Sequence, residues 1–354
     1  MSVYAIWNNK GGVGKSYLTF QIAAEYARTH PNEKVLVIDL CPQSNSSSML
    51  LGGIIEGERH LDQIALTAAA RRKTIAGYVE ERILSPYMSP NVGASYVTHV
   101  RPYNNTIPNN LYLVVGDEEL EIQASRVANA TAPGPADAWR IVHLWISDLI
   151  ADIRRSWDVK DSTVFIDCNP SFTVYTELAM SASDNLIIPF SADGSSKRAV
   201  KAVLALLFGI TRIAGAPQSQ FFLESQRWRM SIPRIYSYVG NRLTQMNLGA
   251  AGAFKTVVNE IGAEIWNVWK SNPSLFAIHP AGTPIPSSPR DFRRMFQAEI
   301  NDANTASVIS GALGIPIMGL HAGTKNLAGK TITVNQSQLD RQKPNISDFV
   351  KTIV

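Results

Sequence analysis

Long hydrophobic runs and cysteines are both scarce in this sequence. No apolar stretch approaches the ~20 residues that a membrane-spanning helix needs, and the first residues form a strand-like pattern instead of the charged and apolar regions of a secretory signal. The two cysteines, Cys41 and Cys168, are too few for a disulfide framework or a closed zinc site. We therefore expect a cytoplasmic protein with two free thiols.

A large excess of charge of one sign is also missing. The 354 residues carry a formal net charge of +4, 45% of them are apolar, and the mean hydropathy is -0.03. A chain of this length and composition can bury a large core. The mildly basic balance is compatible with a polyanionic partner but does not require one.

Short apolar runs recur along the chain, and most are followed by a segment with helical periodicity. Runs without polar alternation are typical of strands buried on both faces, and strands that alternate with helices specify a parallel sheet. We therefore predict an α/β fold in which helices cover both faces of a mostly parallel twisted sheet, formed as one domain by residues 1–354. The predicted strands are 3–7, 35–38, 164–166, 186–189 and 235–239, and the predicted helices are 15–30, 175–182, 197–213, 254–270 and 346–353.

Two stretches interrupt this alternation. Residues 52–135 mix short helical pieces with turns rich in proline and asparagine, and the stretch 271–295 begins with a segment that carries five prolines. Neither stretch contains a self-sufficient apolar pattern. We predict that both are loop or helical insertions on the single domain.

A glycine-rich string lies where the first predicted strand ends and the first helix begins. It reads NNKGGVGKS over residues 8–16. Binding a triphosphate requires inward-pointing backbone N–H groups, a helix N-terminus, a cation for the bridging oxygens and a hydroxyl for Mg²⁺. The glycines permit close backbone approach, Lys15 can reach the β- and γ-phosphates, and Ser16 can bind the metal. The string therefore predicts a site for ATP and Mg²⁺, and its length and context disfavour the alternative, a glycine-rich turn without a ligand.

The string KGGVGKS resembles the deviant Walker A box of the ParA/MinD ATPases, in which a lysine, here Lys10, precedes the first glycines. Two further segments fit in order. Residues 37–45, VIDLCPQSN, resemble the family's switch segment, and residues 164–171, VFIDCNPS, resemble its Walker B segment. The resemblance is strongest to the ParA partition and positioning ATPases, covers most of the chain, and is weak over 52–135 and 214–295. It implies a P-loop ATPase.

The resemblance implies roles for individual residues. Lys10 would cross to the partner's phosphates in an ATP-dependent sandwich dimer, Asp167 would hold Mg²⁺ through water, and Asp39 would lie in the Mg²⁺ shell or orient water. The implied catalytic residues are these three and Lys15. The implied metal ligands are Ser16, Asp39 and Asp167. The residues expected at the nucleotide are Lys10, Gly11, Gly12, Val13, Gly14, Lys15, Ser16, Tyr17, Asn241 and Pro316, the last two at the adenine. A solvated surface lysine is the alternative for Lys10, and an ordinary turn residue for Asn241.

One position departs from the family's pattern. Where the family's switch reads Asp-x-Asp-Pro-Gln, Cys41 replaces the second aspartate, which is associated with hydrolysis. A thiol cannot orient or deprotonate water as a carboxylate does. We therefore expect ATP binding with hydrolysis that is slow or depends on Asp39. A small apolar replacement is favoured over a nucleophilic role for the thiol.

The resemblance also implies macromolecular partners, namely non-specific DNA and a ParB-like or other adaptor protein. Phosphate contact needs cations and little further geometry, although interleaved acidic residues keep a solvated basic face as the alternative. No helix-turn-helix precedes the first strand and the C-terminal tail is not a basic amphipathic helix, so we expect nucleoid association without operator recognition or membrane anchoring. The candidate DNA contacts are Arg290, Arg293, Arg294, Lys325 and Lys330, with Arg341 and Lys343 further on.

Three functions are compatible with these patterns. The first is a partition or positioning ATPase that cycles on DNA. The second is a nucleotide-locked dimeric scaffold with little turnover, which Cys41 suggests. The third, a metal-cluster or metabolic ATPase of the same superfamily, would need a closely spaced cysteine pair for a cluster, and Cys41 and Cys168 do not supply one.

Overall fold

The computed structural model describes residues 2–66, 72–132, 134–158, 161–191, 193–211, 215–243 and 248–354. In these ranges the strands are β1 (Val3–Ile6), β2 (Lys34–Leu40), β3 (Val97–His99), β4 (Leu111–Val114), β5 (Ser162–Cys168), β6 (Asn185–Phe190), β7 (Arg234–Leu243), β8 (Gln297–Asn301), β9 (Gly323–Leu327) and β10 (Lys330–Val334). The α-helices are α1 (Lys15–Thr29), α2 (Asn45–Leu50), α3 (Gly53–Leu66), α4 (Ile75–Leu84), α5 (Glu119–Ala130), α6 (Ala138–His143), α7 (Trp145–Trp157), α8 (Val174–Ala182), α9 (Ser196–Phe208), α10 (Gln220–Arg227), α11 (Leu248–Ser271), α12 (Pro289–Phe296), α13 (Thr305–Leu313) and α14 (Gln336–Val350). Short 3₁₀ turns span Gly93–Tyr96, Pro273–Leu275 and Ile317–Gly319.

Eight strands form one sheet in the order β3-β4-β2-β5-β1-β6-β7-β8. Every neighbouring pair is parallel except β3 and β4, which are antiparallel. Strands β1, β5 and β6 are buried along their whole length, as expected for parallel strands that are covered on both faces. The predicted α/β fold is confirmed. Strands β9 and β10 form a separate antiparallel hairpin.

Two apolar cores lie on opposite faces of this sheet, because successive side chains of a strand point to opposite sides. Ala5 and Ile166 belong to the core that α7, α8, α9, α11 and α12 cover. Tyr4 and Phe165 belong to the other core, which α1, α13 and α14 cover. In the described part of the chain, no helix has both the length and the apolar composition that crossing a bilayer requires.

The stretch 52–135 differs from the expected insertion. It contains α3, α4 and α5, but it also supplies β3 and β4, and β4 pairs in parallel with β2. The LYLV run of β4 is only four residues long, too short to stand out from the surrounding turns. In the second stretch, 271–295, the proline-rich segment leads into α12, where Ser288 caps the helix and Pro289 occupies its first turn.

Several helix ends also differ from the predictions. The last helix, α14, begins at Gln336, ten residues before the predicted 346, because Asn335 and Gln338 form a capping box and Pro344 is accommodated inside the helix. Helix α11 begins at Leu248 and not near 254. Helix α9 ends at Phe208, where Gly209 takes a left-handed conformation, and the predicted end at 212–213 lies outside the described residues.

Glycines allow α13 to approach the turn between α2 and α3. Gly53 has φ +89, and a Cβ atom there would lie 2.1 Å from the carbonyl oxygen of Ala312. Gly57 meets the carbonyl oxygen of Ser48 equally closely. These contacts place α13 beside α2, where both helices border the loop that follows β1.

Candidate nucleotide-binding site

The glycine-rich loop connects β1 to α1 at the edge of the sheet where the parallel strands end. Gly12 and Gly14 adopt left-handed conformations, with φ values of 75° and 78°. Cβ atoms at Gly11 or Gly12 would contact nothing within 4 Å, so this part of the backbone faces open space. No side chain caps the first turn of α1. The N-terminal N–H groups of the helix are therefore directed to a position that favours an anion.

A cavity of about 670 Å³ lies against this loop. Most of the loop residues predicted for the nucleotide line it, and so do both cysteines. Its other wall is built by the segment after β2, by α2 and α3, and by α13. The lining residues are Gly11, Gly12, Gly14, Lys15, Ser16, Tyr17, Cys41, Pro42, Gln43, Asn45, Ser48, Met49, Ile54, Glu58, Glu121, Cys168, Asn169, Pro170, Ser307, Val308, Gly311 and Ala312.

The Lys15 ammonium lies over the loop itself. Its Nζ donates to the carbonyl oxygens of Lys10 at 2.9 Å and Asn8 at 3.5 Å. Burial lowers the pKa of Lys15, and the nearby Asp167 carboxylate partly opposes this effect. The structure therefore places the predicted phosphate-binding cation inside the loop and close to the predicted metal-binding carboxylate.

Asp167, at the end of β5, is fully buried. Neither of its carboxylate oxygens has a hydrogen-bond partner in the described part of the chain. Burial, followed by the charge of Asp39, raises its pKa to about 7, although the hydroxyls of Ser16 and Ser46 and the charge of Lys15 act in the opposite direction. A buried carboxylate without a partner is costly, and a hard cation with oxygen ligands removes that cost. Asp167 and Ser16 therefore fit a Mg²⁺ ion.

Asp39 lies beside Asp167 in the sheet, since the two are register partners in β2 and β5. Its oxygens are already engaged: they accept hydrogen bonds from the N–H groups of Cys41 (3.1 Å) and Ser47 (3.0 Å) and from the Ser47 hydroxyl (2.7 Å). The N–H of Gly116 in turn donates to Ser47 Oγ at 2.9 Å. In this structure Asp39 fastens the segment 41–47 to the sheet, and its metal or catalytic role remains a prediction.

A family model described as an AAA domain matches residues 1–216, more than half of the chain. The chain belongs to this AAA family. The matched range runs from β1 through α9 and includes the glycine-rich loop, the segment after β2 and Asp167. The resemblance to ParA/MinD-type P-loop ATPases is confirmed.

The individual relatives share only low sequence identity with this chain. A Pseudomonas putida protein described as the uncharacterized protein in gidB 3'region is 27% identical over 233 residues, which cover 66% of this chain and 71% of that protein. The structure of apo McdA from Cyanothece is 18% identical, covering 73% of this chain and 82% of that one, with a TM-score of 0.46. Cobyrinic acid a,c-diamide synthase from Mycobacterium smegmatis with bound ADP and magnesium is 16% identical, covering 88% and 97% of the two chains, with a TM-score of 0.48. At these TM-scores the structural similarities carry no argument about what this AAA protein binds.

Both thiols of the AAA protein are held in the neutral form. Burial and the charges of Asp39 and Asp167 raise the pKa of Cys41 to about 12. Burial likewise raises the pKa of Cys168 well above its usual value. Because the thiolate is the reactive species, a neutral thiol fits the expected small apolar replacement at position 41 better than a nucleophile.

Lys10 has partners on its own chain. Its ammonium forms an ion pair with Asp193 and donates to Ser191 Oγ at 3.1 Å and Ser196 Oγ at 3.4 Å. Although partial burial opposes the shift, hydrogen bonds from Lys10, Ser191 and Ser195 hold the pKa of Asp193 well below its usual range. Lys10 is therefore not a freely solvated lysine. Asp193 was missed from the sequence, because an acidic residue in a polar turn after a strand carries no distinctive signal.

The two residues predicted at the adenine have other surroundings. The fully buried Asn241 donates from its amide to the carbonyl oxygens of Val13 at 2.9 Å and Gly14 at 3.2 Å, which ties β7 to the glycine-rich loop. Pro316 lines a separate cavity beside the C-terminal half of α1 and does not line the one at the loop. Adenine recognition by Asn241 therefore remains a prediction, and the structure does not bring Pro316 to the phosphate site.

The cavity wall that α2 and α13 form was missed from the sequence, whereas Tyr17 was among the residues predicted at the nucleotide. Tyr17 donates to Gln342 Oε1 at 2.8 Å and so connects α1 to α14. Val308 and Gly311 of α13 line the cavity, and a Cβ atom on Gly311 would lie 3.2 Å from Met49 Sδ in α2. Met49 and Gly311 lie far apart in the chain, and only the packing of α13 on α2 brings them together.

The candidate DNA contacts form two groups and not one surface. Arg290, Arg293 and Arg294 are exposed on α12, which packs through Phe292 and Phe296 on one core. The hairpin that carries Lys325 and Lys330 packs on the opposite core. Arg341 is exposed, whereas Lys343 donates to the carbonyl oxygen of Leu320 at 2.8 Å. The role of both groups in DNA binding remains a prediction.

Because Asp167 is buried, we predict that the free energy of unfolding of the metal-free protein decreases as its carboxyl group ionises. Its pKa is raised from an ordinary value of 3.8 to about 7 in the folded state, so the folded state binds the proton more tightly. The contribution of Asp167 to stability is therefore complete below about pH 4 and is lost as the pH rises toward 7. Asp167→Asn should raise the Tm at pH 7.5, in EDTA, by roughly 2–4 °C or more, with a smaller gain at pH 5, as measured by calorimetry. An equal gain at both pH values would contradict the assignment.

Proposed function

We propose that this AAA protein is a ParA-like ATPase that binds ATP and Mg²⁺ at the glycine-rich loop and forms an ATP-dependent sandwich dimer. The dimer binds DNA non-specifically and positions a plasmid, a chromosome or another cargo through an adaptor protein. The observation that carries the proposal is the fully buried, unpartnered carboxylate of Asp167 beside Lys15 and the open backbone of the loop.

Residues of the loop have distinct tasks in the proposed site. The backbone at Gly11 and Gly12 and the N-terminus of α1 receive the phosphates, and Lys15 exchanges the carbonyl oxygens of Asn8 and Lys10 for phosphate oxygens. Ser16 and Asp167 would hold Mg²⁺, which would supply positive charge to the phosphates. Asn241 supports the loop from β7 through the carbonyl oxygens of Val13 and Gly14.

The ion pair of Lys10 supports a nucleotide-dependent dimer. The Lys10 side chain is 23% exposed and that of Asp193 is 47% exposed, so the pair lies at the surface, where an ion pair contributes little. A partner's triphosphate offers more negative charge than one carboxylate, so Lys10 can exchange Asp193 for it. ATP would then favour the dimer because it supplies the competing anion.

A second candidate function is a nucleotide-locked scaffold with little turnover. The observation that favours it is Cys41, whose neutral thiol stands where the family has the aspartate associated with hydrolysis. No observation favours a metal-cluster ATPase, since the described residues contain no group of three His, Cys, Asp or Glu that could hold a metal. Steady-state ATPase assays with and without DNA separate the cycling enzyme from the scaffold.

Lys10→Ala should retain nucleotide binding but lose the ATP-dependent dimer, because its charge is needed in the partner's site. Sedimentation with a non-hydrolysable ATP analogue measures the dimer fraction. Asp193→Asn is the matched control, since it removes the same ion pair and keeps Lys10, and it should still dimerise. Lys15→Ala should lose both nucleotide and dimer. If Asp193→Asn fails to dimerise just as Lys10→Ala does, the ion pair itself is what matters and Lys10 does not act across an interface.

Cys41→Asp should raise kcat without a large change in nucleotide affinity. The contacts of the ground state come from the loop, Lys15 and the metal, whereas water orientation matters in the transition state. A water-orienting carboxylate is typically worth 10²–10⁴-fold, and we expect ~10-fold or more here. Cys41→Asn is the control, because asparagine has the size of aspartate without its charge. It should not accelerate hydrolysis. A neutral effect of Cys41→Asp in single-turnover assays would leave the scaffold without its supporting argument.

Charge reversal on α12 and on the hairpin should affect DNA binding differently, because the two groups lie on opposite faces of the sheet. We expect the triple variant Arg290→Glu, Arg293→Glu and Arg294→Glu to lose binding, whereas Lys325→Glu with Lys330→Glu retains it. Fluorescence anisotropy with a random-sequence duplex and an ATP analogue over several salt concentrations measures this. Each lost phosphate contact should reduce the salt slope by ~0.9. The reverse ranking would place the footprint on the hairpin.

A further inference from the structure

Ser46, in the first turn of α2, has a buried hydroxyl that the proposed mechanism does not use. The residue is fully buried, and Ser46 Oγ has no hydrogen-bond partner within the described ranges. The hydroxyls of the next two residues are satisfied: Ser47 donates to Asp39 at 2.7 Å, and Ser48 donates to the carbonyl oxygen of Gly53 at 3.1 Å. A buried hydroxyl without a partner is unfavourable in a folded protein. Ser46 Oγ is therefore a group that can gain a partner when a ligand binds.

The position of Ser46 indicates what that partner is. Ser46 directly precedes Ser47, whose hydroxyl donates to Asp39 at 2.7 Å, and Asp39 is the register partner of Asp167 in the sheet. Ser46 also lowers the pKa of both carboxyls. Asp39 is occupied by Cys41 and Ser47, whereas both oxygens of Asp167 are without partners. Three buried oxygen atoms without hydrogen-bond partners, two on Asp167 and one on Ser46, thus meet beside the loop that carries Ser16. Such a set suits a hydrated hard cation, whose water molecules need acceptors around them.

We propose that Ser46 Oγ, together with Asp167, holds a water molecule of the Mg²⁺ shell, so that Ser46 is a positioning residue for the metal. A serine hydroxyl suits this role because it can accept from a water molecule and donate to a carboxylate. Ser46 supplies an oxygen five residues after Cys41, whose thiol is only a weak acceptor. The inference rests on the proposed function, since it requires the site to bind a nucleotide with a divalent metal.

Metal affinity is the quantity that tests the role of Ser46. The 354-residue protein is loaded with ADP, and its affinity for Mn²⁺ is measured by electron paramagnetic resonance. Its affinity for ADP is measured by calorimetry in EDTA. Ser46→Ala should weaken Mn²⁺ binding ~10–100-fold, the usual effect of losing a partner in the second coordination shell. ADP binding in EDTA should change little, because the hydroxyl acts through the metal. Ser46→Cys keeps the size of the side chain and should show the same loss, whereas Ser46→Thr should restore binding.

Ser225→Ala provides a matched control. Ser225 also has a buried hydroxyl without a partner in the described part of the chain, but it lies on α10, away from the cavity, and its replacement should leave Mn²⁺ affinity unchanged. In the metal-free state, Ser46→Ala should have the same Tm as wild type, because the hydroxyl that it removes has no partner. A lower Tm for Ser46→Ala would indicate a purely structural role. If wild type binds Mn²⁺ with ADP and Ser46→Ala binds it equally well, the inference is overturned and the proposed function stands. If wild type binds no ADP, both are overturned.

Discussion

Asp167 is held at the end of β5, where the sheet and the segments on either side exclude water from its carboxylate. A buried carboxylate without hydrogen-bond partners destabilises the metal-free protein, and a cation bound to it would remove that cost. The glycine-rich loop, Lys15 and Ser16 surround this carboxylate because β1 and β5 are adjacent and parallel, so that their ends meet at one edge of the sheet. Burial is the main cause of the raised pKa values of both cysteines, and the charge of Asp167 raises them further.

Some polar groups around Asp167 already have hydrogen-bond partners, whereas others have none in the described part of the chain. Asp39 accepts hydrogen bonds from Cys41 and Ser47 and so holds the segment after β2, and Asn241 holds the loop from β7. The oxygens of Asp167 and the hydroxyl of Ser46 are available. Under the proposed function, a metal and a triphosphate would supply the missing partners while the frame stays fixed, as in preorganised phosphate sites.

The C-terminal part of the chain, beyond the family match at residue 216, completes the cavity. Helix α13 contributes Val308 and Gly311 to its wall, and α14 is tied to α1 through Tyr17 and Gln342. The same region carries the basic residues of α12 and of the β9–β10 hairpin, on opposite faces of the sheet.

The sequence by itself determined the α/β class, the phosphate loop and the position of Asp167, because these depend on local patterns: buried apolar runs, a glycine string and a carboxylate at the end of a strand. It could not determine the partners of those residues. That Lys10 pairs with Asp193, that Asp39 binds Ser47, that β4 joins the sheet and that α12 and the hairpin lie on opposite faces depend on contacts between distant segments. Only the tertiary structure decided them, since a hydrogen bond or an ion pair is formed by whichever group the packing of helices and strands brings within reach.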